Sequence, residues 1–418
     1  MSTTPPLSPW RWWVCALLML ATVINYMDRM ALNQMAVEIK AALALDDEQY
    51  SWLESVFSLA FAVGAVATGY AVDRVSVRWV YPLMVVGWSL AGILTGFAGS
   101  FWALLTCRFL LGLFEAGNWP CGIRTTRAVL PPHERSFGNA LFQSGTALGA
   151  VVTPPMVLLI LQRAEALGMS DSWRVPFRVI GALGLVWVAL WFLTVPKAML
   201  TPAQGDAGAA GQGAVRFADV FRDRRFWALA AMVMAINFTW HGYRTWLPLY
   251  LRAQRGYSRE EMSAFTTVYY LVADVGSWTV GLVTLWLCAR GVRVHVSRLL
   301  AFAGCAVLTL GTFAVPVLPG GWPLEAGLLV VAFGALGLFP TYFALTQELS
   351  GRHQGKVTGT LGACAHLSLF VVYPIEGRIC QATGSYEWVL GGIGVFPLLA
   401  LGLMLALWPP GGEDDTPA

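Results

Sequence analysis

The sequence predicts an all-α membrane protein with twelve transmembrane helices in two six-helix halves. Three observations predict this fold class: the composition, a series of apolar runs, and one long polar segment that divides those runs six and six. Of the 418 residues, 57% are hydrophobic and 12% are charged, whereas soluble domains are about 45–50% apolar and about 25% charged. A soluble globule of this size needs more charge to cover its surface.

The composition also excludes three other classes of protein. Seven cysteines in 418 residues are too few, and odd in number, for a secreted disulfide scaffold. A net charge of +3 is too small for a typical nucleic-acid-binding protein. Intrinsic disorder requires a much lower hydrophobicity. We therefore expect the lipid bilayer, and no nucleic acid, as a partner.

The apolar runs have the length of membrane-spanning helices. A helix needs about 20 mostly apolar residues to cross a bilayer. Each run is too long for a strand and lacks the alternation that a membrane β-barrel strand would show. The runs lie at residues 11–33, 51–72, 79–98, 101–123, 137–162, 175–195, 226–250, 262–288, 297–317, 322–346, 356–380 and 387–408.

The longest polar segment spans residues 196–225 and predicts a cytoplasmic linker. It contains TPAQGDAGAAGQGAV, a flexible Gly/Ala-rich stretch, followed by the basic sequence FRDRR. Two six-helix halves joined in this way are typical of transporters in which the halves rock against each other. The predicted domains are an N-terminal bundle (1–195), the linker (196–225), a C-terminal bundle (226–410) and a cytoplasmic tail (411–418).

The distribution of basic residues predicts the orientation in the membrane. The first run is too long for a cleaved signal peptide, and it contains Asp28 and Arg29. The N-terminus is therefore expected to stay in the cytoplasm, which places the even-numbered loops inside. Lys and Arg are concentrated in these inner segments, in agreement with the positive-inside rule. The sequence thus predicts a multi-pass plasma-membrane protein with both termini in the cytoplasm.

Five charged residues lie inside the apolar runs, where charges are expensive. Each costs ~3 kcal/mol near the bilayer centre, so five that face lipid would cost ~15 kcal/mol. Whole proteins are stable by only about 5–15 kcal/mol. These side chains are therefore expected to face one another or a water-filled cavity. They are Asp28, Arg29, Arg108, Glu115 and Asp274.

Polar stripes on the first and fourth spans contain three of these charges, and Asp28 lies about 100° from the first stripe, beside Asn25. At about 1.5 Å of rise per residue, Arg29 and Arg108 come to similar depths in the bilayer, with Glu115 deeper. Guanidinium groups bind carboxylates through two parallel hydrogen bonds, so this pair suits an anionic ligand. A nearby carboxylate suits a proton acceptor. Static ion pairs that hold helices in register are the alternative. The stripes are Thr22, Tyr26, Arg29 and Asn33, and Arg108, Gly112, Glu115 and Trp119.

The second half carries polar candidates on spans seven, eight and eleven. Each of them either lines a cavity or forms a hydrogen-bonded seam between helices, and the spacing leaves both open. Glu54, Glu325 and Glu376 lie near predicted membrane boundaries and are expected to contact water. The candidates are His241, Arg244, Tyr270, Asp274 and His366.

Several motifs resemble the anion:cation symporter family within the major facilitator superfamily. INYMDR (24–29) is similar to that family's first-span motif, and RFLLGLFEAGNWP (108–120) is similar to its fourth-span motif. ERSFGNALFQSGTALGAVVTPP (134–155) resembles the loop and fifth span that follow. GYAVDRVSVR (69–78) resembles the superfamily's loop between spans two and three, with Ser76 in place of the usual glycine.

Segments of the second half are similar to bacterial hexuronate transporters. These are WLPLYL (246–251), YYLVADVGS (269–277) and QGKVTGTLG (354–362). The resemblance implies a twelve-helix fold, alternating access, and proton- or sodium-coupled uptake of an organic anion. A sugar acid such as a hexuronate or galactonate is the implied substrate class, and the bacterial inner membrane is the implied location. We expect a monomer that needs no metal and no cofactor beyond H⁺ or Na⁺ as the coupling ion.

The resemblance also implies roles for individual residues. It implies that Arg29 and Arg108 contact the substrate carboxylate and that Tyr26 helps to line the site. It implies that Asp28 and Glu115 are the protonation sites. The predicted substrate-binding set is Asn25, Tyr26, Arg29, Arg108, Asn118, Gln143, His241, Arg244, Tyr270 and His366, and the predicted proton-coupling set is Asp28, Glu115 and Asp274.

Two departures from the family pattern bear on the substrate. Phe61 stands where sugar-acid members often have a tyrosine, which removes a hydroxyl donor. Arg244 adds positive charge relative to simple sugar-acid carriers, which would allow a dicarboxylate or another doubly charged anion. A sodium-coupled or exchange-type carrier and an efflux carrier of the same fold remain alternatives. An enzyme is not expected, because the sequence shows no metal-ligand cluster, phosphate-binding loop or nucleophile elbow.

Asp73, Arg74 and Arg78 form a charged cluster at the predicted cytoplasmic end of span two. Such a network can latch the inner ends of the two halves in one state and break in the other. The family likeness favours this role as a conformational latch. The alternative is that these residues only set the topology.

Overall fold

The computed structural model describes residues 10–131, 134–195, 217–349 and 354–408. Most of the predicted linker and all of the predicted tail lie outside these ranges. Within the described ranges the chain forms α-helices and no strand, in agreement with the predicted all-α class. The helices are α1 (Trp10–Gln34), α2 (Ala36–Leu43), α3 (Asp47–Arg74), α4 (Val77–Thr95), α5 (Phe101–Glu115), α6 (Asn118–Val129), α7 (Arg135–Ala166), α8 (Val175–Thr194), α9 (Arg224–Leu249), α10 (Arg259–Ala289), α11 (Val294–Thr309), α12 (Trp322–Gly337), α13 (Phe339–Leu349), α14 (Gln354–Thr383), α15 (Glu387–Gly392) and α16 (Phe396–Leu407).

Ten helical stretches of the described residues are long and apolar enough to cross a membrane. Two of the twelve predicted runs are not among them. The run at 101–123 is divided, because α5 ends at Glu115 and α6 begins at Asn118. The run at 226–250 corresponds to the single helix α9 of 26 residues, whose buried polar side chains reduce its hydropathy. The number of twelve spans therefore stays a prediction.

The starts of two helices follow from capping residues that the sequence supplies. At the start of α10, Ser258 Oγ accepts from Glu261 N at 3.1 Å, and Glu261 Oε2 accepts from Ser258 N at 2.8 Å. These reciprocal bonds form a capping box, which satisfies two backbone N–H groups at once. At the start of α9, Asp223 Oδ1 accepts from Arg225 N at 2.8 Å. Both helices begin where a short polar side chain can hold the first turn.

The chain divides into two compact units by its contacts. The first unit comprises Met1–Leu32 and Leu59–Gly213, and the second comprises Asn33–Ser58 and Ala214–Ala418. The segment Asn33–Ser58, which contains the end of α1, all of α2 and the start of α3, therefore packs with the second unit. The domain limits drawn from the sequence remain a prediction.

Helices α4 and α8 of the first unit approach each other closely through glycine. A Cβ added to Gly181 of α8 would lie 2.6 Å from Ser89 O and 2.9 Å from Ile93 N of α4. Small residues permit such backbone contact between helices in membranes. Nearby, the Trp187 and Trp191 rings stack with centroids 5.1 Å apart and are both buried. The contact at Gly181 therefore fixes the distance between α4 and α8.

Gly181→Val is expected to destabilise the protein, because a side chain at this position overlaps the backbone of α4. Overpacking typically costs about 1–3 kcal/mol. Gly402→Val on α16 is the matched control, since an added Cβ there meets no atom within 4 Å. The thermal unfolding midpoint of the purified protein in detergent should fall for the first variant and not for the second. Equal midpoints would contradict the close contact.

The second unit has its apolar core around α9. Helix α9 contacts α14 and α16, and the buried cluster includes Phe226, Phe302, Leu361 and Met404. Because other helices surround α9, most of its side chains are buried, including the polar ones. This position explains how Arg244 of α9 comes to be buried within the unit.

Candidate functional site

The first unit contains a group of buried charged side chains, which we call the first-unit cluster: Asp28, Arg29, Arg108 and Glu115. Asp28 and Arg29 lie on α1, and Arg108 and Glu115 lie on α5. All four residues are buried. The structure thus brings together the four residues that the sequence analysis assigned to carboxylate binding and proton coupling. Those roles themselves remain predictions.

Arg29 and Glu115 form a buried ion pair. Arg29 Nε and Nη2 lie 3.1 and 2.9 Å from Glu115 Oε2, and the side chains are 8% and 0% exposed. A buried pair is screened much less by salt than a surface pair. Removing one partner leaves an uncompensated buried charge and typically costs about 3–5 kcal/mol. Each partner therefore compensates the buried charge of the other.

Two aromatic rings cover the guanidinium of Arg29. Its Cζ lies 5.5 Å from the centroid of Tyr26 and 5.0 Å from the centroid of Phe61, within the range of cation–π interactions. Phe61 stands at the position where related carriers often have a tyrosine. In this protein the arginine therefore meets an aromatic face there without a phenolic hydroxyl.

Asp28 is buried without a hydrogen bond to the described residues. It is 2% exposed, and neither carboxyl oxygen has a partner in the described part of the chain. Arg108 and Glu115 are charged groups that act on it. A Cβ added to Gly92 of α4 would lie 2.9 Å from Asp28 Oδ1, so the glycine makes room for this carboxyl. A proton can bind or leave such a group without breaking a hydrogen bond within the described residues.

A break in the fourth predicted span positions Glu115. It is the last residue of α5, and α6 begins three residues later at Asn118. Helix ends leave backbone carbonyls without intrahelical partners, and Asn25 Nδ2 donates a long hydrogen bond of 3.5 Å to Glu115 O. Irregular backbone at membrane depth is tolerated where it is buried in protein or lines water. Asn25 thus contacts the backbone beside the ion pair.

Asn118 holds three helices of the first unit together. Its Nδ2 donates to Thr22 Oγ1 at 3.1 Å, and its Oδ1 accepts from the Tyr81 hydroxyl at 2.6 Å. The bonds connect α6 to α1 and α4. A substrate contact of Asn118 remains a prediction. Sequence reasoning missed Tyr81, because a single tyrosine in an apolar run does not by itself indicate a hydrogen-bonded role.

The second unit contains its own buried polar group, which we call the second-unit cluster: Asn33, Tyr50, Glu54, Arg244 and Tyr373. Arg244 Nη2 lies 2.8 Å from Glu54 Oε2 and donates to the Tyr373 hydroxyl at 3.2 Å. Asn33 Nδ2 donates to Glu54 Oε1 at 3.0 Å and to the Tyr50 hydroxyl at 3.1 Å. Arg244, a predicted substrate ligand, is thus already in contact with a carboxylate.

Glu54 and Glu376 do not contact water as the sequence analysis expected. They are 0% and 5% exposed. Glu54 pairs with Arg244, and Glu376 Oε2 accepts from Trp246 Nε1 at 2.9 Å. The expectation was wrong because it used only the distance from the end of an apolar run. Other helices of the second unit cover these positions.

The remaining candidates of the second unit lie on α9, α10 and α14. The His241 and His366 rings have centroids 6.2 Å apart, with His241 buried and His366 half-buried. Tyr270 is buried and packs edge-on against Trp240 at 5.9 Å. Asp274, one turn further along α10, is half-buried. These placements suit packing and cavity lining alike, so their substrate and proton-coupling roles stay predictions.

Gln143 and two residues of the predicted latch, Arg74 and Arg78, also lie outside both clusters. Gln143 of α7 is exposed. In the predicted latch, Arg74 is exposed and Arg78 Nη1 donates to Val195 O at the end of α8. Asp73 belongs to α3, and its side chain lies outside the described part. The latch therefore remains a prediction, with Arg78 held within the first unit in this structure.

A metal site is not found among the residues that the structure describes. Those ranges contain no group of three or more His, Cys, Asp or Glu residues that could hold an ion. The expectation that no metal is needed remains an expectation.

Apolar helices of membrane-spanning length that enclose buried arginine–glutamate pairs define a class, the multi-pass helical membrane proteins. The sequence profile of the Major Facilitator Superfamily matches residues 18–373. The chain therefore belongs to the Major Facilitator Superfamily, and it is a transporter and not an enzyme.

Known proteins similar to this chain include sugar-acid transporters. It is 26% identical over 413 residues to the hexuronate transporter of Escherichia coli (strain K12), covering 95% of this chain and 93% of that protein. It is 27% identical over 403 residues to a probable sulfoacetate transporter of Cupriavidus necator, and the match covers 92% of this chain and 90% of that protein. A crystal structure of a bacterial homolog of the lysosomal transporter Spinster, inward-facing and unoccupied, matches with a TM-score of 0.79 and 18% identity over 96% of this chain and 97% of that one. This last similarity shows the fold alone.

Proposed function

We propose that the protein is a proton-coupled symporter that takes up an organic anion, a sugar acid such as a hexuronate or galactonate, by alternating access. It acts in the bacterial inner membrane with both termini in the cytoplasm. The observation that carries this proposal is the buried Arg29–Glu115 ion pair beside the buried carboxyl of Asp28. The geometry supports it through two arguments, one on charge and one on binding geometry.

The first argument is the charge of the first-unit cluster. Two arginines and two carboxylates sum to zero when all four are ionised. A bound substrate carboxylate adds one negative charge, and uncompensated buried charge is expensive. One proton on Asp28 or Glu115 restores neutrality and lowers the cost of closing the site. Coupling then follows from electrostatics and needs only rigid-body movement of the helices.

The second argument is competition for Arg29. Glu115 Oε2 accepts from both Nε and Nη2 of this guanidinium, which is an edge that a substrate carboxylate would use. A proton on Glu115 removes the charge that attracts Arg29 and frees that edge for the substrate. Arg108, buried on the same helix as Glu115, supplies the second positive charge. Proton binding and anion binding therefore favour each other, as linkage requires.

The similarity to a hexuronate transporter supports a sugar acid as the substrate. A hexuronate carries one carboxylate and several hydroxyl groups. The carboxylate fits the arginines, and the aromatic rings of Tyr26 and Phe61 beside Arg29 supply apolar surface for a sugar ring. This assignment rests on a relative that shares about a quarter of its residues with this chain.

A doubly charged anion is the second candidate. Arg244 is a third buried arginine, and the similarity to a probable sulfoacetate transporter favours a substrate with two acidic groups. The pairing of Arg244 with Glu54 weakens this candidate, because the charge of the arginine is already compensated.

Transport by purified protein in liposomes tests the proposal. With an inward proton gradient, labelled glucuronate, galacturonate or galactonate is expected to accumulate, and an ionophore that collapses the gradient should abolish accumulation. Galactarate, which has two carboxylates, tests the second candidate. Accumulation driven only by a sodium gradient would show that the coupling ion is Na⁺ and not H⁺. Anion-for-anion exchange without accumulation, or export alone, would reject symport.

A further inference from the structure

The two units contain ion pairs of the same kind. In the first unit Arg29 Nη2 lies 2.9 Å from Glu115 Oε2, and in the second Arg244 Nη2 lies 2.8 Å from Glu54 Oε2. All four side chains are at least nine-tenths buried. In each pair the arginine is a predicted substrate ligand, and its partner is a glutamate on another helix. The sequence analysis gave Glu115 a role in proton coupling and gave Glu54 none.

Glu54 pairs directly with the cation Arg244 and accepts from an uncharged amide, and a second carboxyl lies on a helix packed nearby. From α1, the neutral amide of Asn33 donates to Oε1. The titratable and charged groups near Glu54 are Tyr50 on its own helix, Arg244 on α9, and Tyr373 and Glu376 on α14. Glu376 accepts its hydrogen bond from an indole, which carries no charge. The ionised state of Glu54 therefore depends on Arg244.

We propose that Glu54 is a second proton-coupling residue, which releases Arg244 to the substrate when it takes up a proton. This inference rests on the proposed function, in which the protein carries an anion with protons. The paired state, carboxylate plus guanidinium, has no net charge. When a second acidic group of the substrate binds Arg244, the guanidinium and that group again sum to zero, provided that Glu54 has become neutral. A substrate with one carboxylate is already balanced by the proton of the first-unit cluster. Anion binding at Arg244 without protonation of Glu54 would leave a buried carboxylate uncompensated.

The proton balance of the step is simple. One proton from the outer solution joins the Glu54 carboxylate and forms a carboxylic acid. The Arg244 guanidinium keeps its proton throughout and exchanges one anionic partner for another. On the inner side the anion leaves, Glu54 loses the proton to the cytoplasm, and the ion pair forms again. Each transport cycle with a doubly charged anion therefore carries one proton more than the first-unit cluster alone would require.

The number of protons moved per anion tests this proposal. Purified protein is reconstituted in liposomes, the membrane potential is clamped at zero with valinomycin and equal potassium, and the equilibrium accumulation of labelled galactarate, which has two carboxylates, is measured at several pH gradients. Glu54→Gln should carry one proton fewer than the wild type, so its accumulation at a gradient of one pH unit should be about tenfold lower. Glu54→Asp keeps a titratable group and should keep the wild-type stoichiometry.

Two further variants separate coupling from stability. Glu48→Gln lies on the same helix and removes an exposed pair with Arg378, and it should leave the stoichiometry unchanged. If Glu54→Gln does not fold, the double variant Glu54→Gln/Arg244→Gln removes both charges of the pair together and should show the same loss of one proton. Wild-type stoichiometry in Glu54→Gln or in the double variant would show that Glu54 is structural and overturn the proposal. Wild-type protein that takes up glucuronate but not galactarate would overturn it as well, whereas wild-type protein without proton-driven uptake of either anion would instead reject the proposed function.

Discussion

In liposomes with an imposed proton gradient, Glu115→Gln is expected to abolish accumulation of glucuronate, which has one carboxylate, while anion-for-anion exchange continues. The glutamine amide has nearly the shape of the glutamate and can still accept from Arg29 through its carbonyl oxygen. It cannot take up or release a proton, so the anion gradient is no longer linked to the proton gradient. Substrate should then only equilibrate between the two sides, whereas the wild type concentrates it.

The matched control for this experiment is Glu325→Gln. Glu325 lies in the first turn of α12, outside both clusters, and accepts a hydrogen bond from the Tyr257 hydroxyl at 3.0 Å. This variant should still accumulate substrate. A Glu115→Gln protein that concentrates the anion against its gradient would show that Glu115 is not the coupling group of the first unit.

Arg108→Lys is expected to weaken binding of the anion by ~10- to 150-fold. A hydrogen bond to a charged group is worth about 1.5–3 kcal/mol, and each 1.4 kcal/mol changes affinity about tenfold. Lysine keeps the positive charge but cannot form the two parallel hydrogen bonds of a guanidinium with a carboxylate. The dissociation constant, measured by titration calorimetry on purified protein, gives the change directly.

Arg378→Lys provides the control for substitution of a guanidinium by an ammonium group. Arg378 is 66% exposed at the side chain and pairs with Glu48, so its replacement should not alter affinity. If Arg108→Lys binds the anion as tightly as the wild type, Arg108 does not contact the carboxylate. Its burial would then reflect a structural ion pair.

The apolar runs were sufficient to predict most of the helices. A run of this length has no stable alternative in a bilayer, because a helix satisfies its own backbone hydrogen bonds. The break between Glu115 and Asn118 was not predictable from hydropathy, since Ala116 and Gly117 continue the apolar pattern. The packing of Asn33–Ser58 with the second unit could not be predicted from hydropathy either, because hydropathy contains no information on which helices contact each other.

The grouping of Asp28, Arg29, Arg108 and Glu115 followed from the cost of charge in lipid. Four buried charges on two helices had to meet, and the rise per residue placed them at compatible depths. The same logic was not applied to Glu54, which was treated as a boundary residue. A signal was nevertheless present.

That signal is the spacing along α3. Tyr50 and Glu54 are four residues apart, and Phe61 follows seven residues later, so the three share one helix face. Phe61 was already connected with the substrate site through the family resemblance. A carboxylate on the face of a helix that also carries Phe61 was a candidate for burial. Its pairing with Arg244 required knowledge of which helix lies opposite.

Gly92 has a consequence for how this sequence can diverge. An alanine at position 92 would place its methyl carbon 2.9 Å from Asp28 Oδ1, so the smallest possible addition on α4 presses on a carboxyl of α1. Selection acting on Asp28 therefore also restricts a neighbour that has no chemistry of its own. In an alignment of related transporters, positions 28 and 92 are expected to vary together, with a larger residue at 92 wherever 28 has lost its carboxyl.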